Sequence, residues 1–140
     1  MKKYKYYIGI DPGTKTGFAI WDAQEKKFIT IETTAINIAF EIVSHFDAGS
    51  LSQTFFRVED ARKREWFGKA GPEQLQGAGS IKRDCSIWEE YLKDLGANYE
   101  MVAPKNNKTK LSSELFERMT KYKGRTSEHG RDAAMLVFAK

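Results

Sequence analysis

Four side chains, far apart in the chain, could carry chemistry together. Asp11 ends an apolar run, Tyr4 to Ile10, and Glu59 ends a second one, Thr54 to Val58. His129 and Asp132 lie three apart in a segment with helical spacing, so they share one helix face. A carboxylate at the tip of an apolar strand is costly without a partner such as a metal ion or a phosphate-bearing ligand. Three carboxylates with one imidazole form a hard-oxygen set. It suits Mg²⁺ or Mn²⁺ better than zinc, which prefers several His or Cys ligands. Two such ions about 4 Å apart can activate a water and stabilise a leaving oxygen in phosphodiester hydrolysis. Asp11, Glu59, His129 and Asp132 are the candidates for such a catalytic and metal-binding set.

Glu59 has a rival next to it. Strand alternation puts Arg57 and Glu59 on one face and Val58 and Asp60 on the other. A central strand is buried on both faces, so alternation alone leaves the choice open. Pro12-Gly13, just after Asp11, fits the middle of a type II turn, with Gly where φ must be positive.

The charge distribution fits either a polyanion partner or a solvated helix face with its loops. The net charge is +4, and residues 61–140 hold the whole excess. Most of it comes from Lys105, Lys108, Lys110, Arg118, Lys121, Lys123 and Arg125, against Glu114 and Glu117. A cationic strip of this kind suits a phosphate backbone, which needs only positive charge for contact. Lys105, Lys108 and Lys110 are the expected nucleic-acid contacts. Trp66 and Phe67 could stack on an unpaired base.

With 140 residues, 41% hydrophobic and 30% charged, the chain has the composition of one globular domain that can bury a core. No apolar run reaches membrane-spanning length. The lone Cys85 offers neither an internal disulfide nor a zinc site. No signal-peptide core follows the basic start. A single domain, residues 1–140, in the cytoplasm is expected.

The elements that must position the four residues follow from periodicity. Strands are expected at Lys5–Asp11, Gly17–Trp21 and Lys27–Glu32, the last two joined by a hairpin loop. Ala35–Phe46 has helical spacing of Ile38, Ile42, Val43 and Phe46. A strand at Thr54–Glu59 and a polar loop at Ala61–Gly71 follow. Pro72 can open a long helix, Glu73–Leu95, closed by Gly96. Tyr99–Val102 reads as a fifth strand. Helices are expected over Lys110–Lys121 and Glu128–Phe138, the latter capped by Thr126 or Ser127. Short loops make the first three strands antiparallel, and helical crossovers make the later pairings parallel. This is an α/β fold, a mixed five-stranded sheet flanked by helices, in the order of the ribonuclease H-like fold.

Gly9-Ile10-Asp11-Pro12-Gly13 with Gly17, then Val58-Glu59, then His129-Gly130-Arg131-Asp132-Ala133-Ala134 resemble the motifs of the RuvC family of Holliday-junction resolvases, in order and spacing across the whole chain. The resemblance implies that Asp11, Glu59 and Asp132 are metal ligands, and it favours Glu59 over Asp60. His129 would be a ligand or would position the attacking water. The resemblance also implies a Mg²⁺-dependent homodimer, with Mn²⁺ as a substitute, that cuts branched DNA by paired symmetric nicks, serving recombination and repair. Where the family often has an aromatic residue, three positions after the glutamate, this chain has Arg62, which makes Arg62 a further expected DNA contact.

Three other functions compete. A YqgF-like nuclease acting on structured RNA opens with a similar Asp-x-Gly-x-Lys pattern, but the segment from His129 to Ala134 fits the RuvC side better. An actin- or sugar-kinase-type ATPase needs two such domains. A junction-binding module without cutting would gain by losing clustered carboxylates, which repel a polyanion unless a cation bridges them.

Overall fold

The computed structural model describes residues 3–63, 72–104 and 111–140, with residues 72–78 described as backbone only. Strands β1 (Tyr6–Asp11), β2 (Lys15–Asp22) and β3 (Lys27–Ala35) lead into helices α1 (Ile36–Ser44) and α2 (Ala48–Ser52). Strand β4 (Thr54–Glu59), helix α3 (Pro72–Asp94), strand β5 (Asn98–Val102) and helices α4 (Ser113–Thr120) and α5 (Glu128–Met135) complete the order. One short 3₁₀ turn, Ala61–Lys63, follows β4.

The five strands form one sheet in the order β3-β2-β1-β4-β5. The β1–β2 and β2–β3 pairs are antiparallel, and the β1–β4 and β4–β5 pairs are parallel, as expected. In the β1–β4 ladder Ile10 stands beside Val58, so Asp11 and Glu59 come next at the same edge.

Alternation along the strands divides the core in two. Ile8 and Ile10 of β1, Phe18 of β2, and Phe56 and Val58 of β4 face α1 and α3, where they meet Ala39, Val43, Trp88 and Leu92. Ala19, Trp21, Phe28 and Ile31 face α4 and α5, where they meet Phe116, Ala133, Ala134 and Val137. Burying each large apolar side chain contributes roughly 1.5–3 kcal/mol. Cys85 of α3 is fully buried against the end of β4, where its thiol donates to the Glu59 carbonyl, and burial pushes the thiol up to about 11.

The structure differs from the expected elements in several places. Strand β3 runs on to Ala35, because Thr33, Thr34 and Ala35 pair with Gly17, Thr16 and Lys15. The short helix α2 carries no periodicity to read, yet its start is conventional: the Asp47 carboxylate accepts from Ser50 N at 2.8 Å. Helix α5 ends at Met135, and Leu136 to Phe138 continue as tight turns that donate to Ala133 and Ala134 carbonyls. Gly13 has φ of +153°, not the roughly +80° of a type II turn. The turn is instead tied by the Thr16 hydroxyl, which donates to the Gly13 carbonyl at 2.8 Å.

Gly96 closes the long helix with φ of +72°, the left-handed conformation that its sequence position requires. Among the described residues, no helix is long and apolar enough to cross a membrane.

Candidate active site

The site is built by laying α5 directly on the backbone of β1 and β2. Gly9 of β1 faces α5, and a Cβ there would collide with the Ala133 carbonyl. Gly17 of β2 pairs with Asp11, and a Cβ there would collide with the His129 carbonyl. Two residues along a strand span about 6.6 Å, and four along a helix about 6 Å. The step from Gly9 to Asp11 therefore matches the step from Ala133 back to His129. Once Gly9 seats Ala133, Asp11 must meet His129.

They do meet. His129 Nδ1 lies 3.1 Å from Asp11 Oδ2. With Asp11 ionised, the carboxylate accepts and Nδ1–H donates. The Asp11 side chain is only 15% exposed, whereas His129 is half exposed. Burial, then the Glu59 charge, pushes the Asp11 carboxyl up from 3.8 to about 6; the Asp132 charge adds to this and the His129 hydrogen bond opposes it. Asp11 thus sits in the field of two other acids.

Glu59 and Asp132 line one cavity of about 120 Å³, together with Arg57, Pro104 and Met135. The end of α5 is fixed to β4 by Arg57, whose Nη1 donates to the Leu136 carbonyl at 2.5 Å and whose Nε pairs with Glu100 Oε1 at 2.6 Å. Ser127 caps α5, accepting from Gly130 N and sharing a hydrogen bond with Thr33 of β3. Arg131, from the same helix, donates to the Leu111 and Thr126 carbonyls. The helix that carries His129 and Asp132 is therefore held at both ends.

Asp60, the rival of Glu59, faces the other way. It is 1% exposed, and both its oxygens accept from Arg62, Nε and Nη2 at 2.8 Å each. Burial would raise its carboxyl, but the Arg62 hydrogen bonds outweigh burial and hold it below the usual range. Arg62, expected at nucleic acid, is taken up by Asp60 and by Glu89 of α3. It ties the end of β4 to that helix. Lys105, Lys108, Lys110, Trp66 and Phe67 lie outside the described residues.

Arg57 was not singled out from the sequence. The signal was there, since alternation puts it on the Glu59 face, two residues earlier. The donor set fits a hard divalent cation in kind: carboxylate oxygens and one imidazole, at a spot whose field already favours positive charge. Among the described residues, no three of these groups are drawn together tightly enough to hold an ion. Mutually repelling carboxylates have no reason to converge unless a cation offsets their charge.

The mixed sheet in the order β3-β2-β1-β4-β5, with α1 and α3 on one face and α5 on the other, defines the ribonuclease H-like α/β fold. The structure is similar to that of T. thermophilus RuvC in complex with a Holliday junction substrate, with a TM-score of 0.61 over 97% of this chain and 92% of that one. Sequence identity between the two is 14%, so the likeness is one of fold. No protein-family model and no curated protein matches the sequence.

Proposed function

We propose that this protein is a divalent-metal-dependent endonuclease that cuts branched DNA, with the four-way junction as its substrate. One observation carries the reading. A buried carboxylate, Asp11, is hydrogen-bonded to His129 in the field of Glu59 and Asp132, at the carboxyl ends of adjacent parallel strands. The RuvC-like fold supports the same reading, because the protein it resembles is one bound to a Holliday junction.

Asp11, Glu59 and Asp132 would hold the cation. Mg²⁺ is the natural occupant of such a set, and Mn²⁺ can replace it. When bound, the ion supplies a water activated for attack and a positive charge on the leaving 3′-oxygen. His129, through Nδ1–H, fixes the Asp11 carboxylate, and its Nε2 is free to bind the ion or to orient the water. Arg57 and the Ser127 cap keep the helical pair in register with the strand pair.

A homodimer would deliver two such sites to opposite strands and produce paired symmetric nicks. Lys105, Lys108, Lys110, Trp66 and Phe67 remain its proposed DNA contacts. The test is cleavage of a synthetic four-way junction in Mg²⁺, with cuts mapped on all four strands and with duplex DNA and structured RNA in parallel. Paired symmetric nicks in the junction support the reading. Cutting of RNA alone would overturn it in favour of a ribonuclease, and binding without cutting would leave only a junction-binding module.

A further inference from the structure

We propose that the loop between α4 and α5, from Lys121 to Arg125, grips the phosphate backbone of a duplex arm a few nucleotides from the cleaved bond. This rests on the nuclease reading above and adds a second, non-catalytic DNA surface to it.

Lys121, Lys123 and Arg125 alternate along a stretch with no helix or strand, and all three are exposed. Their frame is fixed from behind. Tyr122 N donates to the Thr120 hydroxyl at 3.2 Å, and the Tyr122 ring packs edge-on against Phe28 of the core. Gly124 folds over that ring so closely that a Cβ would come 2.6 Å from it. Arg131 Nη1 donates to both oxygens of Thr126, at 2.9 and 3.0 Å. Cations on a loop already held in place lose little further backbone freedom on binding.

Lys121 carries the sharpest signal. It ends α4 with φ of +65°, the left-handed conformation in which glycine is favoured and a lysine is strained. A strained residue at an exposed helix end is accounted for if its side chain is used. Among the described residues only Lys123 of the three has an acidic partner, Glu117 at 3.2 Å, and that pair is so exposed that phosphate can displace it at little cost. The loop and α4 border a cavity of about 460 Å³, with Lys123, Gly124 and Arg125 on one rim and Ser113 and Glu117 on the other.

Reach sets the location. Arg125 is four residues before His129, at most about 14 Å along the chain. At 3.4 Å of duplex rise per nucleotide, that is about four nucleotides. The loop would therefore hold the arm whose backbone enters the carboxylate site.

The test is binding of a fluorescent four-way junction in Ca²⁺ across a salt series. Lys121→Gln, Lys123→Gln and Arg125→Gln combined should weaken binding at least about 30-fold, and should lower the slope of log K against log salt by about 3. Lys121→Gly should raise the melting temperature by about 3 °C while weakening binding several-fold, a combination no merely structural role predicts. Glu117→Gln should tighten binding about two-fold. Unchanged affinity and slope in the triple variant, with the wild type binding well, would overturn the loop's role and leave the nuclease reading standing. If the wild-type protein binds no junction at all, both fall together.

Discussion

Gly17 stands opposite Asp11 in the β1–β2 ladder, and the His129 carbonyl occupies the space where a Gly17 side chain would be. A glycine, a carboxylate and an imidazole on three elements are thus locked by one steric fact. Gly17→Ala must push α5 outward. We expect a loss of about 1–3 kcal/mol of stability from overpacking, read by urea unfolding, and a loss of cleavage beyond what the unfolded fraction accounts for. Gly9→Ala, beneath Ala133, should behave in the same way. Full activity with wild-type stability in Gly17→Ala would refute this packing account.

Asp11 should make the metal-free protein less stable as pH rises. Its carboxyl titrates near 6 in the folded chain and near 3.8 when unfolded. Between those values the folded state binds more protons, so stability falls with rising pH. The penalty is absent below about pH 4 and complete above about pH 6. A rise of that size corresponds to roughly 3 kcal/mol at most. Asp11→Asn in excess EDTA should therefore be more stable than the wild type at pH 7, with the difference vanishing near pH 4. The same variant should lose cleavage by at least about a thousand-fold and still bind a junction. Equal stability at both pH values would contradict the burial and charge assigned to this carboxylate.

Much of this was legible in the sequence, and the failures have identifiable causes. The antiparallel pairing of the first three strands and the parallel pairing of the later ones followed from loop and crossover length. The Glu59–Asp60 choice did not, because both faces of β4 are covered; Arg62 and Glu89, 27 residues apart, close around Asp60 only in three dimensions. Arg62 was expected at DNA for a related reason: an arginine beside a candidate catalytic acid looks the same in one dimension whether it meets phosphate or carboxylate. Gly13 was expected in a type II turn, but the Thr16 hydroxyl offers the turn a different closure.

Arg62 gives a direct test of that reassignment. Arg62→Ala leaves the Asp60 carboxylate buried without its partner, which costs about 3–5 kcal/mol. Melting should drop sharply, while junction affinity of the folded fraction, measured at low temperature, should change less than two-fold. A large loss of affinity at wild-type stability would restore Arg62 to the DNA surface.

Arg57 should matter for geometry more than for charge. Its guanidinium joins Glu100 of β5, the Leu136 carbonyl and the cavity shared by Glu59 and Asp132. Arg57→Gln loses a charge-assisted bond at the end of α5, worth about 1.5–3 kcal/mol. If the bond holds Asp132 in register, the variant should also need more Mg²⁺ for half-maximal cleavage. A drop in stability with an unaltered Mg²⁺ requirement would limit Arg57 to holding the fold together.

Cation binding can be read without any DNA. An ion that binds only the folded chain stabilises it by RT ln(1 + [L]/Kd), about 2.7 kcal/mol at a hundred-fold excess over Kd. Mg²⁺ or Mn²⁺ should therefore raise the melting temperature of the wild type by several degrees, and the effect should grow with concentration. The rise should shrink markedly in Asp11→Asn, Glu59→Gln and Asp132→Asn. Because the proposed ligands are ionised carboxylates, and Asp11 takes up a proton near pH 6 in the metal-free chain, the same concentration of Mg²⁺ should stabilise less at pH 5 than at pH 8. A metal effect equal in wild type and all three variants would mean that the ion binds elsewhere, and the catalytic reading of Asp11, Glu59 and Asp132 would fail with it.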